Sequence, residues 1–81
     1  MNISSLEDLR EEVQAIDNEI EVLLYDRFVL TNNIGRLKKK LGLPIENLQV
    51  ENNKLASMPD ELKLIFKEIF KVSKQCQNTI V

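Results

Sequence analysis

From Leu6 to Leu41, an apolar residue occurs at almost every third or fourth position of the chain. A repeat of this kind, sustained over many turns, predicts one long α-helix that buries a continuous stripe against a partner. We call this stripe the seam, and its residues are Leu6, Leu9, Val13, Ile16, Ile20, Leu23, Leu30, Ile34, Leu37 and Leu41. At ~1.5 Å per residue the helix is ~54 Å long, and no other segment of the chain is long enough to cover it.

One seam position, between Leu23 and Leu30, is the charged residue Arg27. A guanidinium in an apolar stripe is costly unless an anion or another polar partner meets it. Arg27 therefore either sets the register of a helix pair, pairs with a buried glutamate, or faces an anionic ligand.

Two more helices follow the long one. Gly42 stands where a C-terminal glycine ends a helix, and a short helix is predicted from residue 46 or 47 to residue 56. A helix of medium length is predicted to follow Ser57, which can act as its N-cap, and to run to about Thr79. With only two Gly and two Pro, the chain has few turn signals for strands. The predicted fold class is all-α, with three helices in one domain over residues 1–81.

The third helix carries two adjacent stripes at helical spacing. One stripe is apolar and consists of Leu62, Ile65, Ile69, Val72, Cys76 and Ile80. The other begins aromatic and ends polar, with Phe66, Phe70, Ser73 and Gln77. A free cysteine on an apolar stripe is usually a small core residue.

Several polar residues lie on or beside helix faces that are otherwise apolar and are predicted to be buried in the core. They are Arg10, Arg27, Lys38, Glu51, Ser73 and Gln77. Arg27 and Lys38 are eleven residues apart, which on a helix is within ~20° of one direction and ~16 Å along the axis. Their side chains can therefore converge on a small anion. Gly35 lies between them and costs ~1 kcal/mol relative to Ala inside a helix, which favours close approach of another backbone or a ligand there.

Arg10 precedes Arg27 by seventeen residues, or ~25 Å along a straight helix. It cannot reach the same small ligand from within its own chain. An antiparallel second copy of the long helix would bring its Arg10 back toward Arg27 and would also cover the seam. Both requirements predict an intertwined antiparallel dimer with two-fold symmetry.

Simpler interpretations exist for each of these residues. Lys38 alone is an ordinary surface lysine, Glu51 can pair with Arg27 or Lys38, and Ser73 with Gln77 can mark a helix end emerging into water. Taken together, three cations with a carboxylate, a hydroxyl and an amide fit a pocket for a small, multiply anionic molecule better than a core.

Composition and charge narrow the classes of function. The chain has 81 residues, one cysteine, no histidine and a net charge of −2. An intrachain disulfide and the usual zinc sites are therefore excluded, and the charge argues against a general nucleic-acid binder. No apolar run approaches the ~18 residues of a membrane span, and no export signal is visible. We expect a soluble cytoplasmic protein without a metal.

Four segments of the sequence resemble the all-helical class of chorismate mutases. They read LREEVQAIDNEIEVLLYDR over 9–27, IGRLKK over 34–39, GLPI over 42–45, and Ser-x-x-x-Gln at 73–77. The resemblance covers nearly the whole chain. It implies an intertwined homodimer of three-helix chains that converts chorismate to prephenate, the committed step toward phenylalanine and tyrosine, without a cofactor.

The resemblance also implies roles for the three cations. Arg10 looks like the arginine that one subunit contributes to a substrate carboxylate in the other subunit's site. Arg27 looks like the carboxylate-binding arginine of the same chain. Lys38 is similar to the lysine that contacts the ether oxygen and a carboxylate.

By the same correspondence, Glu51 resembles the acidic residue at the ring hydroxyl, Ser73 a carboxylate contact, and Gln77 the donor to the ether oxygen. The implied catalytic residues are thus Arg27, Lys38 and Gln77. Two positions depart from the family's pattern. Asn47, which we count among the substrate-binding residues, stands where many members have Asp. Val50 stands where many members have another arginine. Loss of that arginine lowers the expected catalytic strength.

Two other functions stay open at the level of the sequence. An isochorismate pyruvate lyase of the salicylate pathway also uses arginines, a lysine and a glutamine on this fold. A non-catalytic helical dimerisation or regulatory module would instead pair Arg27 with Glu51 and bind no ligand.

Overall fold

The computed structural model describes residues 3–79, with side chains from residue 5 onward. These residues form three α-helices, α1 (Ile3–Leu41), α2 (Leu48–Ala56) and α3 (Asp60–Asn78), and no strand. The prediction of an all-α chain with a long, a short and a medium helix is confirmed. The long helix begins three residues earlier than the seam indicated.

The C-terminus of α1 is closed by a glycine in the left-handed conformation. Gly42 has φ +70°, its N–H donates to the carbonyl of Lys39 at 3.2 Å, and the N–H of Leu43 donates to the carbonyl of Lys38 at 2.8 Å. This pair of bonds is a Schellman motif, which satisfies carbonyls that the helix itself leaves open. The motif reverses the chain and brings Ile45 back beside Lys38.

The boundaries of α2 and α3 depend on two different kinds of cap. Asn47 precedes α2, and its side-chain oxygen accepts a hydrogen bond from the N–H of Val50 at 3.2 Å. The prediction that Ser57 caps the third helix is wrong, because Ser57 ends α2 and Pro59 precedes α3. Proline fixes φ near the value a helix start requires and has no N–H to satisfy. It therefore starts α3 without a side-chain cap.

The small core lies where α3 packs on α1, with α2 packed against α3. The mixed stripe of α3 faces inward, since Phe70, Ser73 and Gln77 are all buried. Phe66 meets Phe70 edge to face, with ring centroids 6.0 Å apart. Most of the wholly apolar stripe stays open, with Leu62, Ile65 and Val72 exposed and Cys76 half-buried; Ile80 lies outside the described residues.

The described residues of the chain do not cover the seam of α1. Every seam residue is exposed, from 41% at Leu6 to 66% at Leu23. The described residues extend over 59 × 27 × 14 Å with a radius of gyration of 17.0 Å, whereas a compact chain of this length has about 12 Å. None of the helices within residues 3–79 is both long and apolar enough to cross a membrane.

Candidate active site

A pocket of about 310 Å³ opens where α1, α2, α3 and the loop before α2 meet. Six of the seven residues predicted from the sequence line it: Arg27, Lys38, Asn47, Glu51, Ser73 and Gln77. The seventh, Arg10, is exposed on α1 and is not among the lining residues. The volume lies at the lower end of the range typical of sites for small molecules.

Arg27 is held in place by α3. Its Nη1 donates to the hydroxyl oxygen of Ser73 at 2.7 Å, and its guanidinium lies 5.4 Å from the centroid of the Phe70 ring. A guanidinium has five N–H donors, so most of them stay available to a ligand in the pocket. Ser73 accepts from Arg27 and keeps its own hydrogen to donate.

Lys38 and Gln77 each donate to a backbone carbonyl at the edge of the pocket. Lys38 Nζ lies 3.0 Å from the carbonyl oxygen of Ile45, and Gln77 Nε2 lies 2.6 Å from that of Thr31. An ammonium has three donors and an amide nitrogen has two. Both groups therefore keep N–H donors beyond the bond that fixes their position.

Gly35 is buried because Gln77 lies directly against it. A Cβ built at Gly35 would come within 3.0 Å of Gln77 Cγ and 3.1 Å of Gln77 Cβ. The close approach of another backbone predicted at this glycine therefore exists, since Gln77 Cα of α3 lies 3.6 Å from the same point, with the Gln77 side chain closer still. The missing methyl group of Gly35 is what lets Gln77 lie close enough to α1 to reach the Thr31 carbonyl.

On the side of the pocket that α2 forms, the α2 wall, α3 contributes a lysine that the sequence patterns did not single out. Lys74 Nζ lies 3.1 Å from one carboxylate oxygen of Glu51 and 2.9 Å from a carboxylate oxygen of Glu46. The partner of Glu51 is thus Lys74, and neither Arg27 nor Lys38 forms the pair considered for it. These pairs join residues 23 and 28 positions apart, a separation at which helical periodicity carries no signal.

The hydrogen bond to Glu46 holds the pKa of Lys74 above its ordinary value, with smaller support from Glu51 and against the effect of desolvation. A raised pKa means that the folded state favours the charged lysine. The resulting stabilisation is present below the ordinary pKa of a lysine and is lost only as pH rises through the raised value. The ion pairs therefore persist throughout the neutral range.

The charge of the pocket opposes that of the chain. Four lining side chains are cations and one is an anion, in a chain whose net charge is −2; the cations are Arg27, Lys38, Lys54 and Lys74, and the anion is Glu51. Ile34, Val50 and Phe70 supply apolar surface between them. Such a site suits a compact molecule with more than one carboxylate and an apolar frame.

The sequence model of the chorismate mutase type II family matches residues 9–78. The chain belongs to this family. The resemblance found in the sequence is therefore confirmed at the level of family and fold.

Similar proteins agree with this family. Over 73 residues, or 90% of this chain, it is 33% identical to a bifunctional chorismate mutase/prephenate dehydratase of Aquifex aeolicus and 29% identical to a chorismate mutase of Methanocaldococcus jannaschii. The chain spans 17% and 63% of the lengths of these two relatives.

Two solved structures share the fold nearly end to end. A form II chorismate mutase of Thermus thermophilus is 37% identical, with a TM-score of 0.86 over 93% of this chain and 96% of that one. A conserved hypothetical protein of Pyrococcus furiosus is 39% identical, also with a TM-score of 0.86, over 94% and 99%. The three-helix arrangement is therefore that of a chorismate mutase type II chain.

Gly35 offers a test of how this chorismate mutase type II site is assembled. In Gly35→Ala the added methyl group pushes Gln77 away from α1, because the contact would be tighter than side chains normally tolerate. We expect the activity of the site to fall at least tenfold, while the free energy of unfolding in urea shifts by ~1 kcal/mol or less, since alanine recovers helix propensity.

Gly42→Ala is the matched control for that variant. Nothing lies within 4 Å of a Cβ at Gly42, but its positive φ disfavours alanine. The control should lose ~1 kcal/mol of stability and keep its turnover per folded molecule. Equal loss of turnover in the two variants would contradict the role given to the Gly35–Gln77 contact.

Proposed function

We propose that this chain is a chorismate mutase, an isomerase that converts chorismate to prephenate in the biosynthesis of phenylalanine and tyrosine. The observation that carries the proposal is the convergence of Arg27, Lys38, Ser73 and Gln77 on one pocket of a chain in this family. The reaction is a unimolecular [3,3] rearrangement that breaks a C–O bond as it forms a C–C bond. It needs no nucleophile, no proton transfer and no cofactor.

The first task of the site is to hold a flexible dianion in its compact, reactive shape. A planar guanidinium binds a carboxylate through two parallel hydrogen bonds, so Arg27 takes one substrate carboxylate, with Ser73 beside it as a second donor. We assign the ring hydroxyl of the substrate to Asn47 and Glu51. The Asn47 amide donates a hydrogen bond to this hydroxyl, and the Glu51 carboxylate accepts one from it. Fixing both ends of the substrate brings the reacting carbons together and removes much of the entropic part of the barrier.

The second task is to stabilise the charge that develops on the departing ether oxygen. We assign this role to Lys38 and Gln77, which both line the pocket and are each fixed by a backbone carbonyl. A donor that is already oriented needs no reorganisation when the charge appears, and one such donor is worth ~3 kcal/mol or more.

We further propose that the active form is an antiparallel two-fold homodimer in which Arg10 of one chain completes the site of the other. The exposed seam supports this, because ten large apolar side chains along α1 are left uncovered by residues 3–79. Arg10 does not line the pocket of its own chain and lies too far along α1 to reach it, whereas an antiparallel partner would bring its own Arg10 there. A chain with a single thiol folds without an oxidising compartment, which suits the cytoplasm.

The direct test is the loss of chorismate absorbance after addition of the purified protein, with prephenate measured as the product. Isochorismate, offered separately, tests the lyase on the same fold. A bicyclic dicarboxylate that imitates the transition state should raise the melting temperature, since a ligand of the folded state stabilises it by mass action. No turnover together with no shift in melting would favour the non-catalytic module.

The neutral amide of Gln77 predicts a pH–rate profile without a step. A glutamate at this position would have to be protonated to donate a hydrogen bond, whereas glutamine donates at any pH. We expect kcat to stay within about twofold from pH 5 to pH 8. Gln77→Glu should gain a steep dependence, with activity falling as pH rises through the carboxyl pKa; a steep profile in the unmodified protein would contradict the assignment.

A further inference from the structure

Lys74 occupies a position that the proposed reaction does not by itself explain. It lies on α3 one residue after Ser73, its side chain is 27% exposed, and it lines the pocket. It joins three parts of the fold, because Glu46 precedes α2 and Glu51 lies within α2.

Without this lysine, the α2 wall would carry unbalanced negative charge. Both carboxylates contact one ammonium, so their oxygens are no further apart than the sum of the 2.9 and 3.1 Å distances. Glu51 is only 17% exposed, so water screens it weakly. Glu51 lines the pocket and Glu46 does not, but an unbalanced pair of carboxylates this close to each other would repel a dianionic ligand in the pocket.

We propose that Lys74 is a positioning residue of this site: it offsets part of the negative charge of Glu46 and Glu51 and holds Glu51 against α3, so that the α2 wall accepts an anionic substrate. The inference deepens the proposed function and rests on it for the identity of the substrate. Lys54, the other cation on this side, is exposed and forms no ion pair with either glutamate within the described part of the chain, so it does not replace Lys74 in this role.

A purely structural role makes a different prediction from an electrostatic one. If Lys74 only clamps α2 to α3, then Lys74→Gln and Glu46→Gln break the same contact and should change ligand binding in the same direction. If Lys74 balances charge, the two substitutions have opposite signs, because one removes a positive charge and the other a negative charge from the same wall.

The experiment measures the dissociation constant of the bicyclic dicarboxylate and, in parallel, KM and kcat for chorismate. We expect Lys74→Gln to weaken binding of the dicarboxylate about tenfold and Glu46→Gln to strengthen it about twofold. The double variant, Lys74→Gln with Glu46→Gln, should recover part of the affinity lost in Lys74→Gln. Lys74→Arg should bind the dicarboxylate like the unmodified chain. Added salt should reduce the differences in affinity between all of these variants. Lys71→Gln, an exposed lysine of α3 outside the pocket, is the matched control.

Two results would overturn the role given to Lys74. One is weaker binding in both single variants, and the other is failure of Lys74→Arg to restore binding while circular dichroism shows a folded chain. Turnover of chorismate by the unmodified protein tests the proposed function separately. If the unmodified protein is active but Lys74→Gln and Glu46→Gln change binding in the same direction, the charge-balancing role of Lys74 is rejected. The proposed function is then unaffected.

Discussion

Replacing Lys38 with alanine should lower turnover of chorismate at least a hundredfold, the largest effect we expect from a single substitution. The Lys38 ammonium lines the pocket and is already fixed by its hydrogen bond to the Ile45 carbonyl. Its loss removes stabilisation of the developing oxyanion, worth ~3 kcal/mol, while the chain loses about one hydrogen bond, worth ~1 kcal/mol. Steady-state kinetics should therefore show a large fall in kcat in a protein whose far-ultraviolet circular dichroism is unchanged.

Lys40→Ala is the matched control for this variant. Lys40 lies in the same last turn of α1 but is exposed and does not line the pocket. It should keep full turnover, which would show that the general positive charge of the helix end is not responsible. A Lys38→Ala protein with kcat within threefold of the original would remove Lys38 from the mechanism.

Mixing two inactive variants should restore activity if the site is shared between chains. Arg10→Ala and Arg27→Ala each disable both sites of their own homodimer. A mixed dimer has one site in which both arginines are intact and one in which both are missing. After unfolding together and refolding, half of the dimers are mixed, so we expect about a quarter of the original turnover.

A second mixture supplies the control for this complementation. Lys38 and Arg27 belong to the site of the same chain, so mixing Lys38→Ala with Arg27→Ala leaves a defect in every site of every dimer. This mixture should stay inactive. Recovery in this pair, or none in the Arg10 and Arg27 pair, would reject the antiparallel arrangement.

The network around Lys74 shows where sequence reasoning stops. The position of Glu51 on the α2 face predicts an inward-facing acid, but the helical pattern offers only Arg27 and Lys38 of α1 as its partners. The actual partner lies 23 residues away on α3, next to Ser73 on the edge of the inward stripe. Helical spacing gives the direction of a side chain on its own helix and carries no information on which residue of another helix it meets.

Ser57 shows a smaller failure of the same kind. Serine before a proline and an acidic residue satisfies the local rules for an N-cap, and α2 ends at that serine instead. The connection between α2 and α3 is so short that one residue cannot both close the first helix and open the second. Pro59, with its fixed φ, starts α3.

The sequence by itself determined the three helices, the seam, the exclusion of an intrachain disulfide and six of the polar residues that line the pocket. These properties are local or additive: periodicity, caps and counts of residue types are present before the chain folds. Tertiary structure alone decided that the mixed stripe of α3 faces α1, that Gln77 lies on Gly35, and that Glu51 pairs with Lys74. These choices depend on contacts between helices far apart in the chain, where steric fit and the position of each charge select one partner among several of suitable chemistry.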